Sequence, residues 1–173
     1  MKTKWLIGLC LLGAAGPAAA QGATSAYTPL NTNRCQVLSS EVQGESISWR
    51  CPGRNGVALY VNSGDGRYEL DAGMDDGEWD SIPPFNQIGN AVEWRLRGGR
   101  AFAVIYRLTS VDPATDPNSM LMVETIGSRG RPGCLVARVN ALRADANARA
   151  RAEADLRAAH FRCGRDQPTE IGR

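Results

Sequence analysis

Lysine is almost missing from this chain of 173 residues: Lys2 and Lys4 are the only two, and every other basic residue is arginine. Those two account for the formal charge of +2, so the remainder is formally neutral. A neutral chain has no broad field to draw in nucleic acid or an anionic membrane, and no nucleic-acid partner is expected. Without lysine a phosphate-cradling G-x-x-x-x-G-K-[ST] loop cannot be completed. Histidine is reduced to His160. It has no G-x-S-x-G elbow and no unpaired cysteine beside which to act, so it is not expected to be catalytic. C-x-x-C is absent too, which removes the usual zinc and thioredoxin-like redox readings. No catalytic residue, metal or cofactor is therefore assigned from sequence.

Long apolar runs are confined to the start. Lys2 and Lys4 precede "WLIGLCLLGAA", and Ala18 and Ala20 form an A-x-A cleavage pattern. Residues 1–20 read as a signal peptide, cut before Gln21. The run is short for a membrane span. Cys10 is preceded by Leu9 rather than a small residue, which does not fit a lipobox. The expectation is a periplasmic or secreted protein with no transmembrane segment after processing.

Four cysteines follow the leader: Cys35, Cys51, Cys134 and Cys163. An even number in an exported chain reads as a disulfide framework. They fall into two sequence-local pairs, which favours Cys35–Cys51 and Cys134–Cys163 over the other two pairings.

Between the cysteines the chain has hairpin grammar. "QVLSSEV" and "ESISWRC" read as strands around a turn at Gly44, and "PGRNG" and "NSGDG" as turns bounding "VALYVN" and "RYELDA". "VEWRLR" alternates most cleanly: Val92, Trp94 and Leu96 face one way, and Glu93, Arg95 and Arg97 the other. Gly98 and Gly99 turn it into "RAFAVIYRLT". "MLMVETIG" and "GCLVARVNA" add two strands. The expected organisation is a flexible arm over 21–33, one domain over 34–165 and a tail over 166–173.

The last element is an alanine-arginine helix from Ala146 to about Ala159, with Asp145 as N-cap. Ala148, Ala152, Leu156, Ala159 and Cys163 fall at spacings of three and four and are read as its buried face. Arg151 is read as solvated, and Arg149, Glu153 and Arg157 as a solvated ion-pair ladder.

Two stretches carry the functional candidates. "DGRYELDAGMDDGEWD", Asp65 to Asp80, is strongly acidic. An EF-hand started at Asp71 would put Gly73, Asp76 and Ile82 where an oxygen donor, a glycine and a glutamate are required, so a solvated loop is expected there. Its carboxylates leave a carboxylate-dependent hydrolase as an alternative. "SIPPFNQIGN" places Pro83, Pro84, Phe85 and Asn86 on a stiff loop suited to partner binding.

The runs "SWRCPGRNGVALYV", "PPFNQIGNAVEWRLRGGRAFAVIYR" and "GCLVARVNA" with the helix that follows resemble a family of small exported proteobacterial proteins with no assigned activity. "WRCPGRNGVALYV" and "SGDGRY" are also similar, in strand grammar, to periplasmic inhibitors of C-type lysozyme. That similarity implies a small antiparallel β-fold and inhibition of a cell-wall lytic enzyme, although the inhibitory lysine of those proteins has no counterpart here. The reading from sequence is an α+β fold: a mainly antiparallel sheet or sandwich with one C-terminal helix and two disulfides. The expected function is non-catalytic binding, as a monomer, of an unknown envelope or extracellular protein or ligand.

Overall fold

The computed structural model describes residues 22–41, 46–83, 85–114 and 118–172. The expected leader with Cys10, the turn at Gly44, and Pro84 lie outside them. The described residues form strands β1 (Thr24–Pro29), β2 (Gln36–Ser40), β3 (Ser46–Arg54), β4 (Val57–Gly64), β5 (Arg67–Ala72), β6 (Asn86–Ile88), β7 (Ala91–Arg97), β8 (Arg100–Ser110), β9 (Ser119–Thr125), β10 (Leu135–Asn140) and β11 (Thr169–Ile171). Helix α1 (Ala146–Arg157) lies between the last two and ends in a 3-10 turn over Ala158–His160. Two disulfides, Cys35–Cys51 and Cys134–Cys163, close the framework as expected.

The strands form two sheets. The larger has the order β1-β7-β8-β9-β10-β11, with β6 pairing β8 beyond the end of β7; the smaller is β2-β3-β4-β5. Neighbours are antiparallel except β10 and β11, which are parallel because α1 crosses between them. Alternation along the strands sends one face of the large sheet toward the small one. Val92, Trp94, Leu96, Val104, Tyr106, Leu108 and Met122 meet Leu59, Val61 and Leu70 there. The opposite face carries Ala103, Ile105, Leu121, Val123, Ala137 and Val139, which pack under α1. The layers are therefore helix, large sheet, small sheet.

The helix uses a different face from the one its sequence suggests. Ala146, Ala150 and Ala154 are buried, and Ala158 continues the stripe. Ala148, Ala152, Ala159 and Cys163 are exposed, and Leu156 is 75% exposed. Alanine recurs at every second position here, so two i, i+4 stripes compete, and a methyl group discriminates little between them. Charge settles the rotation. Arg151 Nε donates to Glu93 Oε1 at 2.7 Å, and Arg95 Nη2 to Asp155 Oδ2 at 2.6 Å. Two residues along a strand and four along a helix both span about 6–7 Å, so the pairs coincide in register. Arg157 of the predicted solvated ladder pairs with Glu153 and also donates to the Val136 carbonyl at 3.1 Å.

Both chain ends depart from expectation. The segment read as an arm contributes edge strand β1, from Thr24 opposite Leu96 to Pro29 opposite Ala91. Ser25 bonds both Glu93 and Arg95, and the Trp94 indole donates to Thr28 Oγ1 at 2.9 Å. The segment read as a tail contributes β11, fastened by Arg138 Nη1 donating to Glu170 Oε1 at 2.9 Å. Backbone pairing and inward polar bonds compensate for the lack of apolar pattern in both. Among the described residues no helix is long and apolar enough to cross a membrane.

Candidate functional site

Tyr68, Leu70 and Ala72 of β5 join the core between the sheets, so the alternate residues Glu69 and Asp71 share the other side. The acidic loop after β5 closes on them. Asp76 N donates to Asp71 Oδ2 at 3.3 Å, Asp80 N donates to Glu69 Oε2 at 3.1 Å, and Asn62 Nδ2 donates to Glu69 Oε1 at 2.7 Å. Ser81 Oγ adds a bond to the Tyr68 carbonyl at 2.6 Å. This loop is not simply solvated, as its composition suggests; it is fastened to the sheet by two carboxyl groups that are 3% and 5% exposed.

Burial pushes both carboxyls up, Glu69 to about 7 and Asp71 to about 8, and the charges of Asp75 and Asp76 add to the rise. Below them Tyr106 Oη donates to Glu124 Oε1 at 2.6 Å. Desolvation holds the Glu124 carboxyl well above its ordinary value, with Asp71, Asp80 and Glu69 adding repulsion. Asp80 is also raised by burial, against the pull of Arg138, whose Nη2 donates to it at 3.2 Å. Among the described residues no group of three His, Cys, Asp or Glu side chains is placed to hold a metal ion.

The same loop presents an aromatic surface. Trp79, 41% exposed, lies against Gly64, and Phe85, 52% exposed, lies across Gly66. These two glycines flank Asp65 in the β4–β5 turn. Gly66 has φ +69°, and a Cβ there would stand 2.7 Å from the Phe85 ring, so only glycine suits the position. Val111, 47% exposed, adjoins Phe85 through a bond from its N–H to the Phe85 carbonyl at 2.8 Å. On the Trp79 side an open groove of about 330 Å³ is lined by Glu41, Ser46, Gly64, Asp65, Arg67 and Trp79. A smaller recess of about 240 Å³ lies beside the Cys35–Cys51 disulfide, against Pro29, Arg34 and Pro52.

No family model, curated protein or solved structure matches the chain. The site is therefore read from its own side chains. Of the four residues singled out for partner binding, Pro83 and Phe85 are exposed and Pro84 lies outside the described residues. Asn86 is 1% exposed and belongs to the structure: its Oδ1 accepts from Tyr68 N at 3.0 Å, and its Nδ2 donates to Ser81 Oγ at 3.2 Å. It fixes the ends of the loop rather than meeting a partner. Trp79 and Arg67 were not singled out. An aromatic set among four acids and two glycines, where no apolar run can bury it, was the available signal for Trp79. His160 is exposed beyond the end of α1.

Proposed function

We propose that this is an exported, non-catalytic binding domain, periplasmic or secreted, whose ligand-facing surface is the rim around the β4–β5 turn. The observation that carries the reading is the pair of exposed aromatics, Trp79 and Phe85, seated on Gly64 and Gly66 of one hairpin. Rigidly backed aromatics beside polar groups are the usual anchors of recognition surfaces, because they offer large contact area at small entropic cost. Arg67, Asp65 and Glu41 supply polar contacts along the groove. The two disulfides support export, since such bonds persist in oxidising compartments.

A hydrolase would need two carboxyls opening on a cleft. Glu69 and Asp71 are buried, and each carries a backbone donor from its own loop, which favours the binding reading. Inhibition of a lytic enzyme is one form the binding could take, with the rim as the inserted element.

The test is capture from periplasmic extract with the oxidised protein, in parallel with Trp79→Ala and Phe85→Ala. A specific partner or glycan should be retained by the parent and lose affinity about tenfold or more with either variant. Addition of the protein to C-type lysozyme reads out the inhibitor form. Capture that is indifferent to both aromatics would overturn the assignment of the rim.

A further inference from the structure

Each of the two sheets has two outer strands, and three of those four edges are guarded. Along β5 the Gly66 carbonyl accepts from Asn86 N, Tyr68 N donates to Asn86 Oδ1, and the Tyr68 and Ala72 carbonyls accept from Ser81 Oγ and Gly127 N. Strand β11 is short, carries Glu170 and follows Pro168. Strand β1 ends in Pro29, and Arg151 reaches across from the helix to the Tyr27 hydroxyl. Charge, proline, short length and covering segments are the usual means of keeping an edge from pairing with another chain. Strand β2 has none of these. "QVLSS" is uncharged and free of proline, its residues are all exposed, and among the described residues it pairs only with β3. Val37 and Leu38 are 55% and 46% exposed on it.

We infer that β2 pairs antiparallel with β2 of a second copy of this chain, about a two-fold axis between Leu38 and Ser39, giving a weak dimer in place of the monomer expected from sequence. The bulge at Leu38 makes the two halves of the strand match. In a regular strand, residues five apart lie on opposite faces. Here Gln36 stands opposite Arg50, Ser39 opposite Ser48, and Glu41 N donates to the Ser46 carbonyl at 3.0 Å. Ser46, Ser48 and Arg50 alternate with Trp49 and Cys51, which pack on the core, so Gln36, Ser39 and Glu41 share the outer face of the small sheet. The two-fold sets Gln36 against the second copy's Glu41, and Val37 against its Ser40, like face to like face. Charge fits the same axis. Glu41 and Arg50 are exposed at opposite ends of β2, and among the described residues neither has an ion-pair partner. Antiparallel pairing brings each Glu41 beside the other copy's Gln36, with Arg50 one strand spacing, about 5 Å, beyond and within reach of its long side chain. A parallel pairing sets like charges level with one another. A single strand pair buries less than the roughly 1,600 Å² of a standard interface, so association falls in the micromolar range or weaker. The joined sheet carries both Trp79 rims on one face, on the order of 30 Å apart, which suits a repeating ligand.

The pairing rests on β2 alone and draws on the rim reading only for its functional consequence. Its test needs no ligand, so it fails or stands independently of the capture experiment. Sedimentation equilibrium of the oxidised protein at low salt, from about 5 μM to about 500 μM, should show the mass moving from one chain toward two. Glu41→Arg and Arg50→Glu alone should each weaken association about tenfold or more, because each sets like charges across the axis. An equimolar mixture of the two variants restores opposite charges at both contacts and should associate as tightly as the parent. Leu38→Lys, which charges the edge itself, should leave single chains with an unchanged circular dichroism spectrum. A parent that stays a single chain throughout the range would overturn the pairing, even if an unrelated protein is found to add a strand to β2. So would association that the two charge variants leave untouched, or that their mixture fails to restore.

Discussion

Arg151 and Ala152 are neighbours in the chain with opposite structural roles. The Arg151 guanidinium spans Glu93 and the Tyr27 hydroxyl, to which its Nη2 donates at 2.9 Å. Glu93 is 7% exposed, and although burial alone would raise its carboxyl, hydrogen bonds from Arg151 and Ser25 outweigh it and hold the group below its ordinary value. Arg151→Ala leaves that carboxylate with Ser25, Tyr27 and a more distant Arg95 at 3.6 Å, and should cost about 1–2 kcal/mol in a urea melt, moderated because Arg151 itself is partly solvated. Ala152→Arg adds a long side chain on the exposed face and should shift stability by less than about 0.5 kcal/mol. The reverse ordering would mean that the helix packs on its other stripe, as its sequence alone suggests. That expectation fails at identifiable residues. Leu156 is the single large apolar residue of the helix and points outward, while the decisive charges are split between a strand and a helix some 60 residues apart. The swapped signs, Glu-x-Arg on β7 and Arg-x-x-x-Asp on α1, were present in the sequence and are informative once the two elements are known to face each other.

Helix α1 is held by the alanine stripe, the paired charges on β7, Arg157 on the Val136 carbonyl of β10, and the Cys134–Cys163 bond. The disulfide joins positions 29 residues apart, so converting both cysteines to serine should lower stability by on the order of 3 kcal/mol. Circular dichroism of the double variant should still show the helix, because the other attachments remain. Loss of the helix signal in the folded variant would show that the disulfide alone docks it. The central hairpins were legible because their turns are explicit: Asn55-Gly56, Asp65-Gly66 and Gly98-Gly99 all sit at strand reversals with positive φ. Strands β1, β6 and β11 were not. "TSAYTP", "NQI" and "TEI" have no period to detect, and each becomes a strand because a long, regular neighbour offers it a hydrogen-bonding edge. The candidate site was half legible for the same reason. The acidic stretch and the Phe85 loop were visible separately, but only the pairing of β4 with β5 brings Trp79 and Phe85 to the two glycines of one turn.

For the molecule as a whole, the titrating groups pull in two directions. Glu69 and Asp71 have folded values above those of an unfolded chain, so the stability they confer is complete below about pH 4 and is lost as pH rises through about 7 and about 8. Glu93 is lowered, so its contribution is present above about pH 4.5 and is lost as pH falls further. Stability should therefore be greatest on the mildly acidic side of neutral. Urea midpoints should decline between about pH 5.5 and about pH 8.5, by on the order of a few kcal/mol in unfolding free energy. A midpoint that is flat or rises over that interval would contradict the buried-carboxyl account.

The two outermost strands of the large sheet come from opposite ends of the described chain, and Ser25 pairs with Arg95, 70 residues further on. The order of synthesis is thus not the order of assembly. A nascent chain has β1 available long before β7, and β10 must wait for β11 after the whole helix has passed. Pairings this remote make for folding over milliseconds to seconds rather than microseconds. They also mean that a truncated product lacking either end carries an unfinished edge, the kind of surface on which chains associate with one another. The local turns start the central hairpins, but only delivery of both ends completes the edges of the sheet.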